Sequence, residues 1–102
     1  MQSIIVNQID KLHKYCKIFN INKMYLFGSA TSDKFNQNSD IDFLISFNDD
    51  ISIVDYTDNY FELHYKLSDL FGRKIDLITE RSLSNPYFIE SINETKELIY
   101  ES

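Results

Sequence analysis

MYLFGSATSDKFNQNSDIDFLISF, residues 24–47, is the stretch whose reading decides the fold. Met24–Phe27 is short, apolar and aromatic, the character of a buried strand, and Gly28-Ser29 ends it. A polar connection, Ala30–Ser39, follows, with Phe35 as its one bulky anchor. From Asp40 to Phe47 the residues alternate, so Ile41, Phe43, Ile45 and Phe47 share one side of a strand and Asp40, Asp42, Leu44 and Ser46 the other. The first set is a core face. The second opens on two acids, and helices packed on one side only would leave it free for chemistry.

Outward from this stretch the pattern turns helical. Ile5, Ile9, Leu12, Cys16 and Phe19 recur at alternating spacings of four and three, which predicts one helix over residues 3–19. Asn20 is a fitting terminator because asparagine tolerates a left-handed backbone. After the turn Asn48-Asp49-Asp50, the stripe Tyr56, Tyr60, Leu63, Leu67, Leu70 predicts a helix over residues 54–71, capped by Gly72. Lys74–Thr79 reads as a third strand with Asp76 opposite Ile75 and Leu77. Asn85-Pro86 is a cap followed by a first-turn proline, and it opens a last helix expected to run through Ile92 and Ile99 to the end. The fold class is therefore α/β (α+β): a small mixed β-sheet with helices packed on one face.

The acids carry the chemistry. Asp40 and Asp42 leave one face of a strand roughly 6.6 Å apart along the backbone. Carboxylates that close repel each other and raise a pKa, and a divalent cation removes the conflict. Mg²⁺ suits such a site because it takes hard oxygen ligands and completes its shell with substrate phosphates. Asp76 adds a third carboxylate if its strand is a neighbour, and three acids can hold two metals about 3.5–4 Å apart. Gly28, lacking a side chain, lets backbone N–H groups approach a phosphate, and the Ser29 hydroxyl can donate to one.

Gly28-Ser29, ten intervening residues and Asp40-x-Asp42 match the GSx10DxD signature of the DNA polymerase β-like nucleotidyltransferase superfamily. The chain resembles its smallest branch, the minimal nucleotidyltransferase (MNT) domains, over most of its length. The resemblance implies that Asp40, Asp42 and Asp76 are catalytic and hold Mg²⁺, two ions in all, with Asp76 also the general base. It implies that Gly28 and Ser29 contact the phosphates of ATP. It also implies a HEPN-domain partner, a toxin silenced by transfer of AMP to a tyrosine hydroxyl. The alternatives are a binding module that neutralises such a partner by contact alone, or a subunit of a larger nucleotidyltransferase assembly. Many active members continue the motif as GS-x-x-R-G, whereas here Ser32 and Asp33 stand at the Arg and Gly positions. Lys34, or else Arg73 or Lys74, is the expected source of the missing positive charge, and Lys34 joins Gly28 and Ser29 as a nucleotide-binding candidate.

Bulk composition fits. With 102 residues, 43% of them hydrophobic, the chain suits a single domain, residues 1–102. A formal charge of −6 argues against a general nucleic-acid binder, whose affinity comes from Lys and Arg neutralising phosphates. The lone Cys16 has no disulfide partner, and no secretory or membrane-spanning pattern is visible, so a cytoplasmic setting is expected. Cys16 lies on an apolar stripe, where it acts as a small hydrophobe. His13 and His64 lack the companions a zinc site needs.

Overall fold

The computed structural model describes residues 1–102. The order is α1 (Ser3–Val6), α2 (Ile9–Ile18), β1 (Ile21–Phe27), β2 (Ile41–Phe47), α3 (Ile53–Phe71), β3 (Ile75–Thr79), α4 (Pro86–Thr95) and β4 (Glu97–Glu101). The strands form one mixed sheet in the order β3-β2-β1-β4: β1 runs antiparallel to both β2 and β4, and β2 runs parallel to β3. Helix α3 is the crossover that a parallel pair requires. The mixed α/β class expected from the sequence is the one observed.

Local chemistry explains the boundaries. Asn20 takes a left-handed φ of 61° between α2 and β1, and its carbonyl accepts from Asn48 N–H at 2.8 Å. Ser52 caps α3 by accepting from Asp55 N–H, and Gly72 ends that helix at φ 64°. Asn85 accepts from Tyr87 and Phe88 N–H, and Pro86 fills the first turn of α4, where its missing N–H costs nothing.

The main core lies on one side of the sheet. Met24, Leu26, Ile41, Phe43, Ile45, Ile75, Leu77 and Ile99 meet Ile5, Leu12, Cys16, Leu63 and Leu67 there. Burial pushes the Cys16 thiol up to about 12, so it stays protonated, with its Sγ 3.8 Å from the Met24 sulfur. Each histidine secures an outer strand: His13 Nε2 donates to the Ile99 carbonyl at 2.8 Å and His64 Nε2 to that of Ile75 at 2.9 Å. A carbonyl can only accept, which fixes the proton on Nε2 in both rings.

Three details differ from the sequence expectation. The first helix is broken at Asn7-Gln8 into α1 and α2, because Gln8 leaves helical geometry at φ −114°, ψ 12°. The last helix stops at Thr95, and the end of the chain pairs with β1 as a fourth strand, Leu26 opposite Glu97 and Tyr25 opposite Leu98. Nor are the helices confined to one face. Ile92 of α4 packs on Phe27 and Leu44, with Tyr25, Ile78 and Leu83 around them, on the side opposite the main core. Leu44 is 2% exposed, so the acid-bearing face is covered beyond its acidic end. No helix is long and apolar enough to cross a membrane.

Candidate active site

Strand pairing brings the acids together. In the β2–β3 ladder Asp42 stands opposite Asp76, and on its other flank Asp42 stands opposite Phe27 at the end of β1. Residues in register on adjacent strands project to the same side, so Asp42 and Asp76 share the face that α4 partly covers. Their carboxyls are hydrogen-bonded. Desolvation raises the Asp42 pKa from 3.8 to about 7, reinforced by the bond to Asp76 and by the charges of Asp76 and Asp40. Lys74 opposes the rise. Its ammonium lies 3.6 Å from Asp40 Oδ2 and 3.9 Å from Asp76 Oδ1, in exposed surroundings.

Asp40 therefore joins the patch through Lys74 rather than by direct contact with the pair, and the three acids do not close into a single ready-made ligand group. The donor set nevertheless fits a divalent cation. All the donors are hard oxygens, and the proton and the ammonium between them do the neutralising that a doubly charged ion would do.

Gly28 abuts the pair. It has φ 72°, where an L side chain is strained, and a Cβ there would collide with Asp42 Oδ2. Glycine is thus required twice, by its backbone and by its neighbour. Residues Gly28–Thr31 form a single 3-10 turn, closed by Thr31 Oγ1 donating to the Gly28 carbonyl at 2.7 Å. Ser29 sits in that turn, and its carbonyl accepts from both Ser32 N–H and Ser32 Oγ at 3.0 Å.

The basic candidates part company. Ser32, at the position where many relatives of the motif place Arg, is spent locally: its Oγ also accepts from Lys34 N–H at 3.2 Å, and its carbonyl accepts from Gln2 Nε2 at 2.8 Å. The Lys34 side chain is exposed on the connection and forms no ion pair. Arg73 holds that connection in place, donating to the Asn36 and Ser39 carbonyls at 3.0 Å and lying 4.8 Å above the Phe35 ring. Only Lys74 of the expected cations reaches the acids.

Sequence reasoning missed the α4–β4 junction. Gly28 N–H donates to Thr95 Oγ1 at 3.4 Å, and Lys96 lies 4.7 Å over the Tyr25 ring. The short apolar run Leu98-Ile99-Tyr100 was compatible with a strand, but Ile99 also keeps helical spacing from Ile92, so the segment did not mark itself as one.

Comparison with known proteins agrees with this geometry. A profile of the family described as Polymerase beta, Nucleotidyltransferase matches residues 10–102. A Methanocaldococcus jannaschii protein provisionally named a protein adenylyltransferase is 40% identical over 93 residues, 87% of this chain and 89% of that protein. The fold matches a chain of a toxin–antitoxin crystal structure with AMP-PNP at TM-score 0.71 and 23% identity, over 92% of this chain and 73% of that one. It also matches a chain of the complex between a tri-AMPylated Shewanella oneidensis HEPN toxin and its MNT antitoxin, at TM-score 0.66 and 20% identity, covering 95% and 72%. At those identities the two structures speak for the fold. The chain is a nucleotidyltransferase and belongs to the polymerase beta family.

Proposed function

We propose that the protein is a Mg²⁺-dependent protein adenylyltransferase that moves AMP from ATP to a hydroxyl, a tyrosine, of a HEPN-domain toxin and so acts as its antitoxin in the cytoplasm. The observation that carries this reading is the Asp42–Asp76 carboxyl pair, in register on parallel strands and pressed against a glycine with no room for a side chain. The named relatives and the toxin–antitoxin neighbours support the acceptor class.

In this reading Asp40, Asp42 and Asp76 would hold the metal, which would supply charge neutralisation for the phosphates. The chain's own groups do the rest. The turn at Gly28-Ser29 positions the polyphosphate, and Lys34 extends from its rim. Asp76 takes the acceptor proton as the hydroxyl oxygen bonds to the α-phosphorus. The bond between that phosphorus and the bridging oxygen breaks, and pyrophosphate departs with its electron pair. Catalysis is positioning and electrostatics, with no covalent role for the protein.

The test is to incubate the protein with α-labelled ATP, Mg²⁺ and a HEPN-domain partner. Label should reach the partner and disappear with Asp42→Asn. Neutralisation of the partner by an Asp40→Asn/Asp42→Asn variant, with no label transferred, would refute the enzymatic reading in favour of silencing by contact.

A further inference from the structure

Across the sheet, the level of the acid pair is occupied by one residue from each strand. Asp76 stands opposite Asp42, and Asp42 opposite Phe27. The last β1–β4 pair is Leu26 with Glu97, and the strands are antiparallel, so one step further sets Lys96 beside Phe27. Lys96 has an extended backbone, φ −62° and ψ 140°, and so continues the line of β4. Strands lie about 4.8 Å apart, which puts Lys96 roughly 10 Å from Asp42 along this row, on the far side of Phe27.

The side chain is on the same face as the acids. Tyr25 packs with Phe27, Leu44 and Ile92 on that face, and the Lys96 ammonium lies over its ring. No carboxylate is within ion-pair distance of Lys96, whereas Lys74 is committed to Asp40 and Asp76, and Lys23 to Glu101. Arg73 is committed to backbone carbonyls. The preceding residue, Thr95, ties the junction to the turn through its bond with Gly28 N–H. A cation is therefore held half-buried over an aromatic ring, unpaired, beside the turn and on the row of the carboxyl pair.

We propose that Lys96 binds the β- and γ-phosphates of the nucleotide, so that the triphosphate runs from the Asp42–Asp76 pair across the Gly28 turn towards the α4–β4 junction. This inference rests on the nucleotidyl-transfer reading and gives it a direction: pyrophosphate leaves towards α4, and the acceptor approaches from the β3 side. Lys96 takes the part that an arginine at position 32 would otherwise play. An ammonium on a flexible stem serves as a point charge for phosphate, and stacking on Tyr25 limits its freedom.

Isothermal titration of the full chain in Mg²⁺ with ATP, AMP and tripolyphosphate tests this. For Lys96→Gln, affinity for ATP and tripolyphosphate should fall roughly 10- to 100-fold, as expected for loss of a charge-assisted contact. AMP binding should stay within about twofold, and Lys96→Arg should recover most of the ATP affinity. A structural role would weaken all three ligands together. ATP binding by Lys96→Gln equal to that of the unaltered protein, or equal losses for ATP and AMP, overturns the assignment of Lys96 and leaves the nucleotidyl-transfer reading standing. Failure of the unaltered protein to bind either ATP or tripolyphosphate overturns both.

Discussion

Asp42→Asn should make the metal-free protein more stable while abolishing transfer. The Asp42 carboxyl is half-buried, hydrogen-bonded to Asp76 and flanked by the Asp40 charge, which together lift its pKa from 3.8 to about 7. The folded chain therefore holds a proton that the unfolded chain releases above pH 3.8, so stability is fully present below that value and is lost as pH rises towards 7. At 1.36 kcal/mol per unit, a rise of about three units corresponds to ~4 kcal/mol, an upper bound. Because water reaches part of the carboxyl, screening brings this to about 1–2 kcal/mol. Asparagine presents an N–H to Asp76 where the acid presented its proton, and it carries no charge at any pH. In EDTA, thermal unfolding should then give equal midpoints at pH 4 and an advantage of ~5–10 °C for Asp42→Asn at pH 8. Asp69→Asn, on the exposed side of α3, removes the same formal charge and is the control for net charge. Mg²⁺ should stabilise the unaltered protein and not the variant. A variant no more stable than its parent at pH 8, or with the same gain at pH 4, would refute the claim that the acid pair is electrostatically destabilised.

Gly28→Ala adds a side chain at φ 72° and against Asp42 Oδ2, so it should lose about 1–2 kcal/mol from the backbone alone, read by urea unfolding, and should also lose the stabilisation by ATP. Cys16 should resist iodoacetamide at pH 8 in the folded protein and react freely in urea. Its thiol is held protonated to about 12 against 9.0, so it should also contribute a fall in stability as pH rises from 9 to 12, which Cys16→Ala removes. Ile92→Ala empties the contact that seats α4 on Phe27 and Leu44, and should cost about 2–4 kcal/mol by the same unfolding assay, with wild-type stability refuting the second core.

Much of this architecture was legible because its signals are local. Asn20, Gly72 and Asn85-Pro86 mark their turns and caps by backbone preferences that need no partner, and the structure uses each one so. The alternation in Asp40–Phe47 gave both faces of β2 correctly, and the core side is filled as that pattern implied. What failed depended on distant residues. Ile92 and Ile99 are seven apart, a helical spacing, but they lie in opposite cores, one under α4 and the other in β4. Only the free edge of β1 converts Glu97–Glu101 into a strand, and no residue within that segment announces the edge. The break at Asn7-Gln8 leaves Ile5 and Leu12 in the same core, so their spacing hid it. At the site, Asp42 and Asp76 were legible as acids on strands, whereas the register that sets them opposite each other is a property of the sheet.

With Ser32 and Asp33 in the motif, the positive charge around the acids comes from elsewhere in the chain. Ser32 turns its hydroxyl back on Ser29 and Lys34, and its carbonyl receives Gln2 from α1, so the turn after Gly28 is fastened by neutral hydrogen bonds. Arg73, two residues before β3, grips the connection by donating from Nη1 to the Asn36 and Ser39 carbonyls, which fixes the loop. Lys74 offsets the acids but stands among them, immediately before β3. A triphosphate needs a cation at its other end, where charge accumulates as the leaving group departs. Lys96, unlike Arg73 and Lys74, lies at that end of the row, and it is there because residues 97–101 fold back as β4 instead of continuing α4. The fourth strand thus has a consequence for chemistry beyond closing the sheet: it carries Lys96 onto the face of Asp42 and Asp76, where the Lys74 ammonium is already paired.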